Sequence, residues 1–194
     1  MHVRTLKRRL RDEVTDRRSS ISPFVREQAA ANLAEWIYSA PFRLEYDVTV
    51  GAYVPFGSEP GSSAFLDALL DRGVTVLVPV VPPGDPAPLD WVRYDGATTI
   101  ARGRWGLLEP TGQRLGADAI HAASVVFVPA LSVDKTGVRL GRGAGYYDRT
   151  LAGLTADLIA VVYDNEVVDA LPAGPHDVPV GWALTPEGGF RELR

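Results

Sequence analysis

The chain has 194 residues, no cysteine and a formal net charge of −4, with 46% hydrophobic and 23% charged residues. These proportions are ordinary for a soluble globular protein, and we expect residues 1–194 to form a single domain. The absence of cysteine excludes disulfides, thiolate metal sites and cysteine nucleophiles. No apolar run approaches the roughly 20 residues of a membrane span, so we expect a cytoplasmic protein without a membrane partner.

The charge is unevenly spread along the chain. Residues 1–20 carry seven basic and three acidic residues, a local charge of +4, so the rest of the chain is acidic. Domains that bind nucleic acids usually have a basic patch that dominates the whole surface, which argues against a nucleic-acid partner here. A local site for a small polyanion is compatible with this distribution.

The predicted elements begin with two helices. Apolar residues recur at spacings of three and four over residues 2–18, which predicts an amphipathic helix. Ser22 followed by Pro23 is a typical helix start, and we expect this second helix to continue to about residue 40.

Strands and helices alternate in the rest of the chain. The predicted strands cover residues 47–56, 74–81, 89–94 (as an edge strand), 124–134, 157–164 and 182–186. The other predicted segments are helices over 63–73 and from 145 onward, and loops over 105–112 and 171–181. Nearly continuous apolar strands separated by helices predict a three-layer α/β/α sandwich with a mostly parallel, Rossmann-like sheet.

A glycine-rich segment follows the predicted strand over 124–134. Gly141, Gly143 and Gly145 stand at alternate positions directly before a predicted helix. In open α/β sheets ligands bind at the carboxyl ends of strands, where glycines let backbone amides approach an anion. The spacing matches neither a dinucleotide-binding G-x-G-x-x-G sequence nor a Walker loop. A mobile hairpin with solvated arginines fits the glycines equally well, but the two aromatic residues and the Asp-Arg pair that follow favour an anion site.

Four basic side chains are candidates for phosphate binding. Arg139 and Arg142 flank the first glycine, and guanidinium groups offer paired donors to phosphate oxygens. Lys7 and Arg11 are one helical turn apart, so they share a face of the first helix, which we expect to point away from its apolar residues. A solvated polar helix face is the alternative interpretation of Lys7 and Arg11, and the pattern alone favours it.

Aspartates that suit a magnesium ion occur in several loops. Mg²⁺ on nucleotide phosphates takes one or two carboxylates, and Asp148, Asp177 and Asp134 are the candidates. Considered singly, Asp148 is better explained as a first-turn charge that favours the helix dipole, and Asp177 as a turn former beside proline. The residues themselves therefore leave the metal ligands open.

Glu59 follows the first predicted core strand, close to Phe56. A carboxylate at this strand end is suited to accept hydrogen bonds from the amino and ring N–H groups of a planar heterocycle. An exposed turn residue before Pro60 is the alternative. Trp105 either walls an aromatic pocket or covers the core, and the sequence does not separate these two roles.

Taken together, these segments resemble one known family. KRRLR at residues 7–11 is similar to the K-x-x-x-R helix of the 5-formyltetrahydrofolate cyclo-ligases, also called methenyltetrahydrofolate synthetases. VPALSVDKTGVRLGRGAGYYDRTL at residues 128–151 resembles the family signature P-x-L-x-x-D-x-x-G-x-R-L-G-x-G-x-G-Y-Y-D-R. GLLEP and LPAGPHDVPVGWALTPEG fall in the family's order and spacing, and the resemblance covers residues 4–188.

The resemblance implies an enzyme that uses MgATP to convert 5-formyltetrahydrofolate into 5,10-methenyltetrahydrofolate, with release of ADP and phosphate. The formyl oxygen would attack the γ-phosphate, and N10 would then close the ring and expel phosphate. Such chemistry depends on positioning and charge neutralisation, not on a protein nucleophile. We expect a monomer or a weak homodimer.

The resemblance also implies roles for individual residues. Those that would bind ATP are Lys7, Arg8, Arg9, Arg11, Arg139, Gly141, Arg142, Gly143, Ala144, Gly145, Tyr146 and Asp148. Those that would hold Mg²⁺ are Asp148 and Asp177. Those that would contact the pterin are Phe56, Glu59, Trp105 and Tyr146. The expected catalytic residues are Arg142 and Tyr146.

Three features depart from the family pattern. Ala144 occupies a position that is often glycine or lysine, which removes one possible phosphate contact. The aliphatic residue that usually follows the substrate-binding glutamate is replaced in SEPGS, at the expected rim of the folate pocket. Glu166 stands where a glutamine is common.

Two other functions fit the same residues. The predicted scaffold also resembles that of sugar-phosphate isomerases and CoA transferases, which need a catalytic base in the crevice but no nucleotide. A non-catalytic regulator that binds folate or nucleotide would recognise 5-formyltetrahydrofolate without forming the methenyl product. Failure to bind MgATP would favour the first alternative, and binding without turnover the second.

Overall fold

A computed structural model of the chain describes residues 3–102 and 108–193. The α-helices in these ranges are α1 (Val3–Ser19), α2 (Pro23–Trp36), α3 (Ser63–Asp71) and α4 (Tyr146–Leu151). The strands are β1 (Thr49–Gly51), β2 (Thr75–Val80), β3 (Asp90–Tyr94), β4 (Ile100–Arg102), β5 (Leu108–Pro110), β6 (Ala123–Pro129), β7 (Ser132–Asp134), β8 (Arg139–Leu140), β9 (Asp157–Val161), β10 (Val167–Val168), β11 (Trp182–Thr185) and β12 (Gly189–Glu192). None of the described helices is long and apolar enough to cross a membrane.

Serine residues begin two of the helices. The Ser22 hydroxyl accepts a hydrogen bond from the Val25 amide at 3.3 Å, and Pro23 occupies the first turn of α2, as its fixed φ angle favours. This helix start is the predicted one. After Trp36 the chain continues as a 3₁₀ turn, Ile37–Ser39, so the helical segment ends close to the predicted residue 40. The Ser62 hydroxyl caps α3 in the same way, through the Ala64 amide.

A seven-stranded sheet forms the centre of the fold, in the order β12-β11-β9-β6-β1-β2-β3. The five inner strands are parallel to one another, and β12 and β3 run antiparallel along the two edges. The predictions of a mostly parallel sheet and of an edge strand near residues 89–94 are therefore confirmed.

Two predicted core strands are shorter in the structure than in the sequence pattern. The strand predicted over 47–56 is limited to β1, and Pro55, a few residues further on, has no N–H group to continue a ladder. The strand predicted over 124–134 is divided into β6 and β7, which belong to different sheets. At the division the Leu131 amide donates to the Leu140 carbonyl at 2.8 Å, which starts a separate three-stranded sheet, β10-β7-β8.

Five of the described strands fall outside the predicted ones: β4, β5, β8, β10 and β12. Residues 105–112 were expected to be a loop, but β5 within them pairs antiparallel with β4. β12 was not predicted, and it pairs with β11 to close one edge of the main sheet. Strands of two to four residues contain too few side chains to show a period of two, which explains all five misses.

Apolar side chains cover both faces of the main sheet. On one face α2 and α3 pack over β1, β2 and β6, through a cluster that includes Leu33, Phe65, Leu69 and Phe127. On the other face a second cluster joins Trp91, Ile120 and Val126 to Leu151 of α4. Helical layers on both faces make the predicted three-layer sandwich.

The direction of the strand order changes next to β1. From β1 the chain continues outward to β2 and β3, and it then returns to place β6, β9, β11 and β12 on the other side of β1. Such a switch point leaves a crevice between the carboxyl ends of the two central strands, where open α/β folds bind ligands. In this chain the crevice lies beyond β1 and β6.

Helix α1 closes one side of this crevice. It packs against the three-stranded sheet β10-β7-β8 through Leu10 and Val14, which contact Leu131, Leu140 and Leu171. Because β7 continues directly from β6, this contact holds α1 next to the carboxyl end of the central strand. The helix is therefore placed to present side chains to the switch point.

Candidate functional site

A cavity of about 510 Å³ occupies the switch point. Its walls are formed by α1, by the segments after β1 and β6, and by the glycine-rich loop over residues 141–145 with the start of α4. The predicted site residues that line it are Lys7, Arg11, Glu59, Arg139, Gly141, Arg142, Gly143, Ala144, Gly145, Tyr146, Asp148 and Asp177. Residues up to 170 positions apart in the sequence are thus brought together.

Lys7 and Arg11 project from α1 into the cavity. The Lys7 ammonium forms an ion pair with Asp177, and Arg11 Nε donates to the Gly141 carbonyl at 2.8 Å. Both side chains are largely covered and lie beside the apolar face of the helix, not away from it as the sequence suggested. The alternative of a solvated polar face is therefore wrong.

The glycine-rich loop lines the cavity, and the carbonyls at its two ends, Gly141 and Gly145, accept hydrogen bonds from Arg11 and Arg149. Gly143 has a φ of +107° and lies against Arg11, so a β-carbon there would stand 3.2 Å from Arg11 Cζ. The Gly145 carbonyl accepts from Arg149 at 2.9 Å. These contacts join the loop to α1 and α4, and of the two arginines that flank Gly141, Arg139 is buried whereas Arg142 is 59% exposed.

Arg139 lies at the base of the loop. One of its terminal nitrogens donates to Asp148 Oδ1 at 2.5 Å, and its guanidinium lies 5.8 Å from the centre of the Tyr147 ring. The side chain is only 3% exposed. Its Nε is buried without a hydrogen-bond partner among the described residues, which is unusual because a buried polar group normally has one.

Asp148 and Asp177 lie close to each other across the cavity. The amide of Val178, next to Asp177, donates to Asp148 Oδ1 at 3.4 Å. Burial by itself would raise the pKa of Asp177, but hydrogen bonds from Lys7 and the Gly174 amide outweigh it and lower the pKa below the ordinary value. Asp177 is therefore ionised at neutral pH.

These two carboxylates fit the needs of a magnesium ion. Among the described residues, the hydrogen bonds to them fall on one oxygen each, Asp148 Oδ1 and Asp177 Oδ2. The second oxygen of each is left for a cation. No cluster of three or more acidic, histidine or cysteine residues suited to a metal occurs in residues 3–102 and 108–193. Two carboxylates with phosphate oxygens and waters suffice for Mg²⁺.

Asp134, the third candidate metal ligand, has a structural role instead. Its Oδ1 accepts from Thr136 (amide and hydroxyl) and from the Val138 amide, and its Oδ2 accepts from the Leu171 amide at 2.8 Å. Burial would raise the pKa of Asp134, but these hydrogen bonds lower it. The carboxylate fixes the turn between β7 and β8 and does not line the cavity.

Glu59 stands opposite the glycine-rich loop. Its Oε2 accepts from the Phe56 amide and its Oε1 accepts from Arg142 Nε, both at 3.0 Å. The Glu59 side chain is 10% exposed, so the alternative of an exposed turn residue is wrong. Apolar residues continue the wall on this side of the cavity: Val54, Pro79, Val81, Leu89 and Leu108.

Several predicted site residues are not brought to the cavity. Arg8 and Arg9 are exposed on α1, and Arg9 pairs with Glu13 at 2.7 Å on the outer face of the helix. The Phe56 side chain is partly exposed and does not line the cavity, although its amide supports Glu59. Trp105 lies outside the described residues.

Arg18 is a cavity residue that the sequence reasoning missed. It is 1% exposed and forms two hydrogen bonds with Glu166, at 2.6 and 2.7 Å, and a third with the Ala130 carbonyl at 2.7 Å. Arg18 stands eleven residues after Lys7 and seven after Arg11, so all three share one helical stripe. Extending that stripe along the helix would have found it. Glu166, noted as a departure from the family pattern, is its partner.

Two tyrosines, the buried Tyr53 and the partly buried Tyr147, also line the cavity. Burial raises the pKa of Tyr53 and Tyr147 well above the ordinary value, and the nearby Glu59 carboxylate raises it further. Both phenols therefore stay protonated at neutral pH and act as neutral hydrogen-bonding groups. Tyr53 donates to the Pro60 carbonyl, which holds the segment that carries Glu59.

The arrangement has two chemically different halves. Lys7, Arg11, Arg139 and the glycine-rich loop provide cations and backbone groups for an anion with several charges. Glu59 and the apolar wall provide a carboxylate acceptor beside a surface for a flat, largely apolar ligand. Because the two halves share one cavity, ligands bound in them would be in contact.

Comparison with protein families gives one match over nearly the whole chain. Residues 3–186 match the 5-formyltetrahydrofolate cyclo-ligase family. The 5-formyltetrahydrofolate cyclo-ligase of Mycolicibacterium smegmatis is 47% identical to this chain over 193 residues, which cover 97% of each protein. The 5-formyltetrahydrofolate cyclo-ligase of Escherichia coli is 24% identical over 176 residues, or 89% of this chain and 96% of that protein.

Solved structures show the same relationship. The NMR structure of Aquifex aeolicus 5,10-methenyltetrahydrofolate synthetase superimposes with a TM-score of 0.79 at 27% identity, covering 97% of this chain and 93% of that one. The 5,10-methenyltetrahydrofolate synthetase from Mycoplasma pneumoniae gives a TM-score of 0.70 at 19% identity, over 93% of this chain and 99% of that one. The second similarity concerns the fold alone.

Proposed function

Because the chain belongs to the 5-formyltetrahydrofolate cyclo-ligase family, we propose that it converts 5-formyltetrahydrofolate into 5,10-methenyltetrahydrofolate with the use of ATP. The chain is then a ligase of one-carbon metabolism that releases ADP and phosphate. The observation that supports this most directly is the single cavity at the switch point, with a cationic half and a carboxylate–apolar half side by side. We also propose that residues 1–194 act as one domain in this reaction, because cavity residues come from Lys7 through Asp177.

The cationic half binds the triphosphate in this proposal. Lys7 and Arg11 approach from α1, Arg139 from the base of the loop, and Gly143 and Gly145 let the backbone come close to the phosphates. The unpartnered Nε of Arg139 supports the assignment, since a phosphate oxygen would supply the missing acceptor. Arg8 and Arg9 play no direct part, because they point away from the cavity.

Asp148 and Asp177 are the residues that would hold Mg²⁺. A bound ion would neutralise part of the charge on the β- and γ-phosphates. Ion pairs with Arg139 and Lys7 keep both carboxylates in place before the ion arrives. With MgATP bound, Lys7 and Arg139 would pair with phosphate oxygens and Asp148 and Asp177 with the metal, so neither set of charges would be left unpaired.

The second half binds the pterin end of the folate. Glu59 accepts from the amino and ring N–H groups of the pterin, and the apolar wall including Val54, Val81 and Leu108 contacts the rest of the molecule. Tyr146, at the start of α4, lines the same cavity, and we assign it contacts with both ligands. Phe56 contributes through its amide, which orients the Glu59 carboxylate.

The reaction then needs no protein nucleophile. The formyl oxygen attacks the γ-phosphorus and the bond from phosphorus to the ADP oxygen breaks, which leaves a phosphorylated imidate. N10 attacks the formyl carbon and gives up its proton to the departing phosphate or to solvent, the carbon–oxygen bond breaks, and phosphate departs with the former formyl oxygen. The protein positions the oxygen in line with the γ-phosphate, and Arg142 with Arg139 balances the charge that develops on the phosphoryl group.

A direct assay tests the proposal. Purified protein is mixed with MgATP and 5-formyltetrahydrofolate, and the absorbance of the methenyl product is followed. We expect product only when both substrates are present, together with one ADP for each methenyl group. A folded protein that gives no ATP-dependent absorbance would overturn the proposal, and binding of both substrates without turnover would indicate a regulator.

A further inference from the structure

One ion pair connects the two halves of the cavity. Arg142, on the glycine-rich loop, donates through Nε to Oε1 of Glu59, on the segment after β1, at 3.0 Å. In the proposed function, which this inference presupposes, Arg142 belongs to the nucleotide and Glu59 to the pterin. The two residues assigned to different substrates are thus hydrogen-bonded to each other.

Each oxygen of the Glu59 carboxylate accepts one hydrogen bond, Oε2 from the Phe56 amide and Oε1 from Arg142. The Phe56 amide, in the same turn, donates a hydrogen bond to Oε2. The Glu59 amide donates in return to the Phe56 carbonyl at 3.1 Å. That local contact can persist when a ligand binds. The contact with Arg142 comes from across the cavity, so it is the one that a pterin N–H group replaces.

Arg142 is suited to change partners. Its side chain is 59% exposed, against 10% for Glu59, and Glu59 is its hydrogen-bond acceptor within the described ranges. Because the arginine side of the pair is open to solvent, the interaction is screened and a competing ligand can replace it. Gly141 and Gly143 on either side of Arg142 place the guanidinium beside the backbone that faces the phosphates.

We propose that the Arg142–Glu59 pair couples the binding of the two substrates. Pterin binding to Glu59 releases Arg142, which then donates to the phosphates, so each substrate strengthens the binding of the other. The effect must be the same in both directions, because a coupling free energy between two sites is reciprocal. We expect about a threefold to fivefold change in dissociation constant, the upper range for an exposed ion pair.

Calorimetry with a nucleotide that cannot react measures this coupling. The dissociation constant of the magnesium complex of the β,γ-imido analogue of ATP is determined with and without saturating 5-formyltetrahydrofolate. The wild-type protein is expected to bind the analogue about threefold to fivefold more tightly when the folate is present. Equal affinities would overturn the coupling.

Arg142→Gln removes the exchangeable cation and should abolish the coupling. Both ligands should still bind to this variant, with the same analogue affinity whether or not folate is present. Arg93→Gln is the matched control, because Arg93 forms an exposed pair of the same kind with Asp95 (2.9 Å) and does not line the cavity. Coupling that survives in Arg142→Gln would assign it to other residues and overturn the proposal.

Glu59→Gln gives the opposite result in the absence of folate. With its acidic partner neutralised, Arg142 is available from the start, so the analogue should bind about threefold to fivefold more tightly than to the wild type. The double variant Glu59→Gln with Arg142→Gln shows whether this tighter binding requires Arg142 or follows only from the loss of a negative charge. If Glu59→Gln has the same effect without Arg142, the pair is not responsible and the proposal is wrong.

The same measurements distinguish failure of this proposal from failure of the proposed function. A wild-type protein that binds neither the analogue nor the folate contradicts the function itself. A protein that binds both, and forms the methenyl product, but without mutual strengthening, contradicts only the role of the Arg142–Glu59 pair.

Discussion

Single residues in the cavity are arranged as opposite charges in contact. Lys7 faces Asp177, and Arg139 faces Asp148, with both cations largely buried. A buried charge without a partner is costly, so these pairs keep the site stable until a ligand supplies new partners. Substitution of one residue of a pair therefore affects ligand binding and also leaves the charge of the other residue without its partner.

Lys7→Ala should weaken the nucleotide far more than the folate. The lysine is assigned to the phosphates, and loss of one charged hydrogen bond of about 1.5–3 kcal/mol corresponds to roughly a tenfold to hundredfold weaker binding. Calorimetric dissociation constants for the ATP analogue and for 5-formyltetrahydrofolate provide the comparison. Arg9→Ala, on the outer face of α1, is the control and should change neither. Equal loss of both ligands in Lys7→Ala would contradict the phosphate assignment.

Two glycines two residues apart should respond differently to alanine. At Gly143 the φ of +107° disfavours any side chain and a β-carbon would press on Arg11, so Gly143→Ala should lower the free energy of unfolding by about 1–3 kcal/mol. At Gly141 no described atom lies within 4 Å of an added β-carbon, so Gly141→Ala should leave the stability unchanged. Urea denaturation of both variants measures the difference. Equal stability of Gly143→Ala and Gly141→Ala would contradict the loop conformation described above.

The stability of the protein should depend on Asp134 at acid pH. The folded-state pKa of Asp134 is lowered, so its contribution is present above the ordinary aspartate pKa and is lost as the pH falls through the lowered value. Asp134→Asn should lower the free energy of unfolding by about 2 kcal/mol at pH 7. The difference from the wild type should shrink below about pH 4.

Urea denaturation at a series of pH values measures this dependence. Asp85→Asn, in an exposed turn, is the control and should follow the wild-type curve. A constant difference between Asp134→Asn and the wild type from neutral to acid pH would show that the carboxylate charge does not contribute.

At the scale of elements, α1 matters because it carries three cavity side chains. Its last turn is fixed by Arg18, which is bound to Glu166 and to the Ala130 carbonyl at the end of β6. The position of Lys7 and Arg11 relative to the central strands therefore depends on a buried ion pair at the opposite end of the same helix. The first two side chains bind the ligand in our proposal, and the third positions the helix.

Glu166→Gln should destabilise the protein by about 3 kcal/mol, because it leaves the Arg18 charge buried with only uncharged acceptors. Urea denaturation is the measurement.

The double variant Arg18→Met with Glu166→Met should lose less free energy of unfolding than the sum of the losses in the two single methionine variants, because both charges are removed together. Arg9→Gln breaks only the exposed pair with Glu13 and should cost less than about 0.5 kcal/mol. If Glu166→Gln destabilises the protein as little as Arg9→Gln does, the Arg18–Glu166 pair does not hold α1 in place.

Across the whole molecule, the sequence pattern was sufficient to predict the layers of the fold, and most of the predicted site residues line one cavity. Continuous apolar strands such as 74–81 and the Ser22-Pro23 helix start depend on local periodicity and capping, which a single sequence displays. The division between β6 and β7 was not visible, because apolar residues continue past the end of β6 through Leu131 and the break depends on pairing with β8. Pairing of distant segments is a property of the assembled sheet.

The same distinction applies to the site. The glycine loop and Lys7 with Arg11 were found because each is a local pattern, and the family signature connected them. The role of Asp134 was not predictable, because its hydrogen bond from the Leu171 amide joins residues 37 positions apart. Arg18 could have been found from helical spacing, but its partner Glu166, 148 positions away, could not.

The central claim is that one cavity brings the formyl oxygen of the folate to the γ-phosphate of ATP. The most direct test uses 5-formyltetrahydrofolate labelled with ¹⁸O in the formyl group, in ordinary water, with mass spectrometry of the phosphate released in a single turnover. Direct phosphorylation of that oxygen predicts one ¹⁸O atom in each phosphate. Unlabelled phosphate, with the label recovered in water, would contradict the account.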